Sequence, residues 1–165
     1  MKKSIFNTTA LKKAGNKKAL LFNYSEDNNV VIWNESGTFV IKCNKLLFEY
    51  EILNSLPTEQ KEIPACIPAT FAAFENSTVL SETFLYLELN NVIVKLYQNY
   101  KYKYLTPVNT ELLKILNNLT NFTPYQAKQN SPLLFKNDFI SVLIMPVYNG
   151  GIKEKIQTIA EELKQ

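Results

Sequence analysis

The stretch 131–149, SPLLFKNDFISVLIMPVYN, constrains the fold of this chain most. Two apolar, β-branched runs, 131–135 and 139–147, flank the turn-forming tripeptide Lys136-Asn137-Asp138, which predicts an antiparallel hairpin. Pro146 has no N–H to donate and ends the ladder. Beyond Gly150 and Gly151, the residues Ile152, Ile156, Ile159 and Leu163 form one apolar stripe with the charged residues off it, so 152–163 is read as an amphipathic helix. Such a helix either packs on the chain's own sheet or docks in a partner's groove.

The remaining chain divides at similar turn signals. A short strand at 1–6 leads to Asn7, an N-cap candidate, and a helix over 10–14 closed by Gly15. Strands at 18–24, 30–33 and 38–43 follow, separated by 25–29 and 34–37, both rich in turn formers. The spacing then predicts a strand at 46–53, a helical turn at 58–62 and a helix at 69–74 with Pro68 in its first turn. Strands at 78–81, 84–89 and 92–97 come next, the last two joined by Asn90-Asn91. A strand at 100–105 and a helix over 109–119 follow, with Leu112, Ile115, Leu116 and Leu119 on one helical face. Phe122 opens a strand interrupted by Pro124. Three short helices, each followed by an antiparallel meander, suggest a repeated unit of about 50 residues. The expected class is therefore α+β, mainly antiparallel, with one domain over 1–150 and a C-terminal helix over 151–165.

Composition narrows the chemistry. All 18 cationic residues are Lys; Arg and His are absent. Without His the chain lacks the commonest general base and metal ligand, and without Arg it lacks bidentate phosphate forks. No paired-carboxylate constellation stands out, so a non-enzymatic protein with no metal or cofactor is expected. The Asn and Lys excess reflects an AT-rich genome, which discounts Asn-X-Ser/Thr matches such as Asn7 and Asn34. Cys43 and Cys66, with apolar neighbours and no CxxC spacing, are read as two buried free thiols in a reducing compartment, hence a cytoplasmic protein. No signal-peptide h-region and no apolar run of about 18 residues is present, which argues against a membrane partner.

The predicted helix 109–119, the strand pair after it, with Pro132 leading one strand, and the ending Leu143-Ile144-Met145-Pro146-Val147 resemble the C-terminal end of the DNA sliding-clamp family. The β-α-β-β-β order of the first unit is similar to the unit from which clamp domains are doubled. The resemblance implies a DNA-replication accessory, phage- or plasmid-encoded, that forms a homo-oligomer and binds DNA and DNA polymerase or other replication proteins. It also implies that Met145, Pro146, Val147 and Tyr148 line a cleft for short partner peptides. The added C-terminal helix has no counterpart in that family, and its adjacency alone suggests that, through Ile152 and Ile156, it covers the cleft and competes with partners.

Two surface features bear on partners independently. Lys12, Lys13, Lys17 and Lys18, with Lys2 and Lys3, are the densest positive region, suited to salt-sensitive attraction to a phosphate backbone, although a solvated helix face explains them equally well. The stretch 97–104 alternates Tyr with Lys. As a strand it would place Tyr100, Tyr102 and Tyr104 on the core face and Lys101 and Lys103 in water. The alternative to a replication accessory is a small protein-binding inhibitor or interaction module, of phage host-takeover or anti-defence type, whose contact surface is this strand and the C-terminal helix.

Overall fold

The computed structural model describes residues 4–15, 21–51, 56–101, 103–148 and 150–164. The fold is α+β, built mainly of antiparallel strands. Helix α1 (Thr8–Ala14) starts where the Asn7 side chain accepts the Ala10 N–H at 3.1 Å. β1 (Leu21–Glu26) and β2 (Asn29–Asn34) form a hairpin with Asp27 at φ 52° in its turn. β3 (Phe39–Asn44) pairs next with β2. The β2–β3 turn is held by Asn34: its Oδ1 accepts the Thr38 and Phe39 N–H groups, and its Nδ2 donates to Ala14 O, Ser36 Oγ and Thr38 Oγ1. Gly37, at φ 65°, supplies the left-handed residue that this turn requires.

Several elements depart from the sequence expectation, each for a local reason. The strand expected from 46 is instead helix α2 (Lys45–Tyr50), because the Asn44 side chain accepts the Leu46 N–H and caps it. The turn expected at 58–62 is strand β4 (Thr58–Gln60), parallel to β1. Bonds from Leu21 N to Pro57 O and from Lys61 N to Asn23 O, both 3.0 Å, zip that segment onto the sheet edge. Helix α3 (Cys66–Ala72) begins earlier than its apolar residues suggest and runs into a 3₁₀ turn, Ala73–Asn76. β5 (Thr78–Val79), β6 (Ser81–Leu89) and β7 (Val92–Asn99) follow, the last two joined by Asn90 and Asn91, both left-handed as a tight hairpin needs.

The alternating Tyr–Lys strand does not form. Tyr100, Lys101 and Lys103 lie in a turn, with Lys103 at φ 55°, and β8 begins only at Tyr104 (Tyr104–Asn109); Tyr102 lies outside the described residues. The long helix expected over 109–119 is reduced to α4 (Thr110–Leu113). Beyond it the backbone turns to bond with the N-terminal segment: Asn7 N donates to Ile115 O and Asn117 N to Ile5 O, both 2.9 Å, and Phe6 bridges Leu116. β9 (Thr123–Gln126), β10 (Leu133–Lys136) and β11 (Ile140–Ile144) complete the sheets, with Asn137 Oδ1 accepting two N–H groups in the β10–β11 turn. Helix α5 (Gly150–Glu162) ends the described chain.

The strands make an eight-stranded sheet, ordered β4-β1-β2-β3-β11-β10-β9-β5, and a three-stranded sheet, β6-β7-β8. The large sheet's edge strands have three and two residues, too short to template another chain. Its middle reads as two meanders, β1-β2-β3 and β9-β10-β11, meeting at β3–β11 and each preceded by a helix, α1 or α4. Of the expected β-α-β-β-β repeat, only a helix followed by a three-stranded meander recurs in the first and third passes; the second pass gives β5 to the large sheet and β6 and β7 to the small one, where β8 of the third pass joins them.

Packing is layered. The inner face of the large sheet, with Val30, Ile32, Phe39, Ile41, Leu133, Phe135, Val142 and Ile144, packs on α1, α4, Phe6 and the small sheet through Tyr97 and Val108. Tyr97 meets Phe135 edge-on, with ring centroids 5.5 Å apart. Two buried polar groups tie these layers: Gln126 accepts from Thr106 and donates to Ser131 O, and Glu51 accepts from Ser4 Oγ and, at 2.7 Å, from Ile5 N. The far face of the small sheet, with Val94, Leu96 and Leu105, is covered by Ile152 and Ile156 of α5. The C-terminal helix thus packs on the chain's own sheet.

Candidate functional site

The outer face of the large sheet is covered least. Phe22, Val31, Trp33, Val40, Leu134 and Leu143 are buried there, yet among the described buried residues of this cluster only Ile67, on α3, comes from outside the strands. Apolar runs without alternation in β2 and β3 fill both faces of the sheet, and one two-turn helix cannot cover the outer one. One uncovered part is an apolar cleft of about 570 Å³ between α3 and the sheet; two further clefts, more polar and of about 450 and 880 Å³, reach Val31 and Leu134 on the same face. Phe22, Trp33, Val40 and Leu143 form its floor, Pro64, Cys66, Ile67 and Thr70 one wall, and Pro132 with Met145 the other. The volume is in the range of clefts that hold small molecules or peptide side chains.

The floor is rigid. Phe22 and Trp33 are cross-strand partners with centroids 5.9 Å apart, and their strands are locked by the β1–β2 ladder. At one end Lys61 places its Nζ 4.4 Å from the Phe22 ring centroid. No carboxylate among the described residues pairs with that ammonium. The Asn34–Gly37 turn also lines the cleft, with Glu35 exposed. A second depression of about 540 Å³ continues past Cys66, Thr70 and Pro132, under Ala69 and Ala73. Together they make a trough along α3.

Of the residues singled out from the sequence, Met145 lines this cleft and is exposed. Pro146, Val147 and Tyr148 do not line it. Met145 N bonds Thr38 O on the large sheet and Val147 N bonds Pro107 O on the small one, so 145–147 is the strap between sheets, with Pro146 at the crossing. Val147 leans on the α5 core. Tyr148 is held by the Thr106 side chain and the Asn130 backbone, while burial raises its phenol's pKa. Ile152 and Ile156 are buried on the small sheet, so α5 lies away from the cleft rather than over it. Lys12 and Lys13 are exposed in the last turn of α1; Lys17 and Lys18 lie outside the described residues. Lys114, by hydrogen bond and charge, and to a lesser degree Lys13 hold the Glu111 carboxyl below its ordinary range, so a carboxylate offsets part of the positive charge there.

The thiols differ. Cys43 is buried, and burial with the nearby Glu51 charge pushes its pKa up to about 12, which makes it inert. Cys66, expected to be buried, is exposed at the cleft rim because α3 begins there. Elsewhere, Lys95 is only 6% exposed, pairs with Glu82 and is ringed by Phe84, Tyr86 and Tyr97. Burial lowers its pKa. This cluster clamps β6 to β7 across a bulge where Phe84, 74% exposed, adopts φ 60°.

Sequence reasoning missed Phe22, Trp33, Val40, Leu143 and Lys61. The available signal was Val30-Val31-Ile32-Trp33, a run too apolar for a sheet wetted on one face. Among the described residues no three His, Cys, Asp or Glu side chains cluster as metal ligands, and no helix is long and apolar enough to cross a membrane. No protein family, curated protein or solved structure matches the chain.

Proposed function

We propose that the chain is a non-enzymatic protein-binding module whose cleft receives an apolar anchor residue from an extended segment of a partner protein. The observation that carries this reading is the apolar cleft of about 570 Å³ between α3 and the sheet, with the buried side chains of Phe22, Trp33, Val40 and Leu143 at its floor and Met145 exposed on its wall. Burying one Phe- or Leu-sized anchor there contributes about 1.5–3 kcal/mol, and neighbouring contacts along the trough add to it. The rigid floor needs little ordering on binding, which favours recognition of a short segment. A peptide library selected against the wild type, with Met145→Glu, a change at an exposed residue of the cleft, as the subtracted variant, tests this. The expected yield is peptides with an apolar anchor that bind only the wild type. Enrichment of peptides that bind both proteins equally overturns it.

A second reading, a sliding-clamp-like replication accessory, is favoured by the two helix–meander units, whose helices α1 and α4 touch on one face of the sheet, with Lys12 and Lys13 on α1 and Lys114 just after α4. On that reading partner replication proteins use the cleft and DNA meets the lysines. Lys12→Gln with Lys13→Gln should then lower the slope of log K against log salt on duplex DNA by roughly 0.9 for each phosphate no longer neutralised. A monomeric mass in solution together with no DNA affinity at low salt sinks it.

A further inference from the structure

We infer that the partner segment carries a carboxylate next to its apolar anchor, and that Lys61 reads it. This rests on the cleft reading above and names the chemistry of the partner. Three observations carry it. Lys61 stands at the mouth of the cleft with its ammonium over the Phe22 ring, and no described carboxylate neutralises it there. A cation seated on an aromatic floor next to an apolar cavity is complementary to a ligand with an apolar body and one negative group. The cleft also continues into the depression under Ala69 and Ala73, sharing Cys66, Thr70 and Pro132 with it, so the site is an open trough rather than an enclosed tunnel. An extended peptide fits a trough. A fatty acid, whose tail gains most when fully enclosed, does not.

Glu35, exposed in the turn that Asn34 and Gly37 shape, also lines the cleft, and the exposed Lys128 lines the depression that continues it. Because Lys61 is exposed, its contribution is that of a rim charge, selecting partners more than holding them.

The test uses the full chain and two acetylated, amidated pentapeptides, Ser-Glu-Ile-Phe-Ser and Ser-Lys-Ile-Phe-Ser. Emission of Trp33, the sole tryptophan and part of the floor, is the readout. The wild type should bind the acidic peptide about fivefold more tightly than the basic one at low salt, with the ratio shrinking in about 0.5 M salt. Lys61→Gln should abolish the preference and Lys61→Glu should reverse it, each with unchanged thermal unfolding. Equal binding of both peptides by the wild type, or a preference that survives Lys61→Gln, overturns this inference and leaves the cleft reading standing. No binding of either peptide overturns both. Decanoate that competes as well as the acidic peptide also overturns it, by showing that the site takes an amphiphile rather than a peptide.

Discussion

Replacing Asn34 with Ala should be among the most damaging single polar substitutions in the described chain. The side chain is buried, accepts the Thr38 and Phe39 N–H groups, and donates to Ala14 O, Ser36 Oγ and Thr38 Oγ1. After truncation Ser36, which is exposed, and Thr38, which is half-buried, can turn to water, so their loss is small. The Phe39 N–H and the Ala14 carbonyl have less access. Leaving a buried polar group unsatisfied costs about 1–3 kcal/mol, so the pair gives about 2–6 kcal/mol. For a chain of this size that lowers the unfolding midpoint by on the order of 10 °C. Calorimetry, with urea unfolding at unchanged m value, measures it. Ser36→Ala is the control and should stay within about 0.5 kcal/mol. If Asn34→Ala shifts stability no more than the control does, the hub carries no weight and the turn is held by other means.

Removing 150–165 should uncover Val94, Leu96 and Leu105, and the truncated chain should bind a dye for apolar surface or aggregate; behaviour identical to the full chain contradicts the packing of α5. A thiol reagent at neutral pH should label Cys66 and spare Cys43 until unfolding. Because Cys43 keeps its proton in the folded state up to about pH 12 while the unfolded thiol loses it near 9.0, stability from this group is full below about pH 9 and declines above it. The stability of the wild type relative to Cys43→Val should therefore fall as pH rises from 8 to about 10.5, and a constant difference contradicts the burial argument. At position 84, with its φ of 60°, Gly should be more stable than Ala by about 1 kcal/mol, the reverse of the usual order in a strand; the ordinary order would remove the claim of backbone strain.

The hairpins were legible because their signals are local. Asn90-Asn91 and Lys136-Asn137-Asp138 specify their turns within a few residues, and the stripe of Ile152 and Ile156 announced α5. Expectations that depended on distant partners failed. Residues 114–119 have a helical face, but the N-terminal segment takes the backbone groups of Ile115 and Asn117, and β1 takes those of 58–60. Asn44 is a cap signal like Asn7, but the apolar run Leu46-Leu47-Phe48 that follows it reads equally well as a strand. The cleft was half visible. Met145 stood out beside Pro146, whereas Trp33 and Leu143 looked like ordinary core until the sheet's outer face proved under-covered.

The most direct test is to map a bound peptide by two-dimensional NMR on the full chain, titrating the acidic pentapeptide and following amide and methyl resonances. Shifts should concentrate on Phe22, Trp33, Val40, Ile67, Leu143 and Met145, with Ile152 and Ile156 of α5 and Phe84 of β6 unmoved. Shifts confined to α5 or the β6–β7 hairpin, with the cleft residues silent, would contradict a binding role for the cleft.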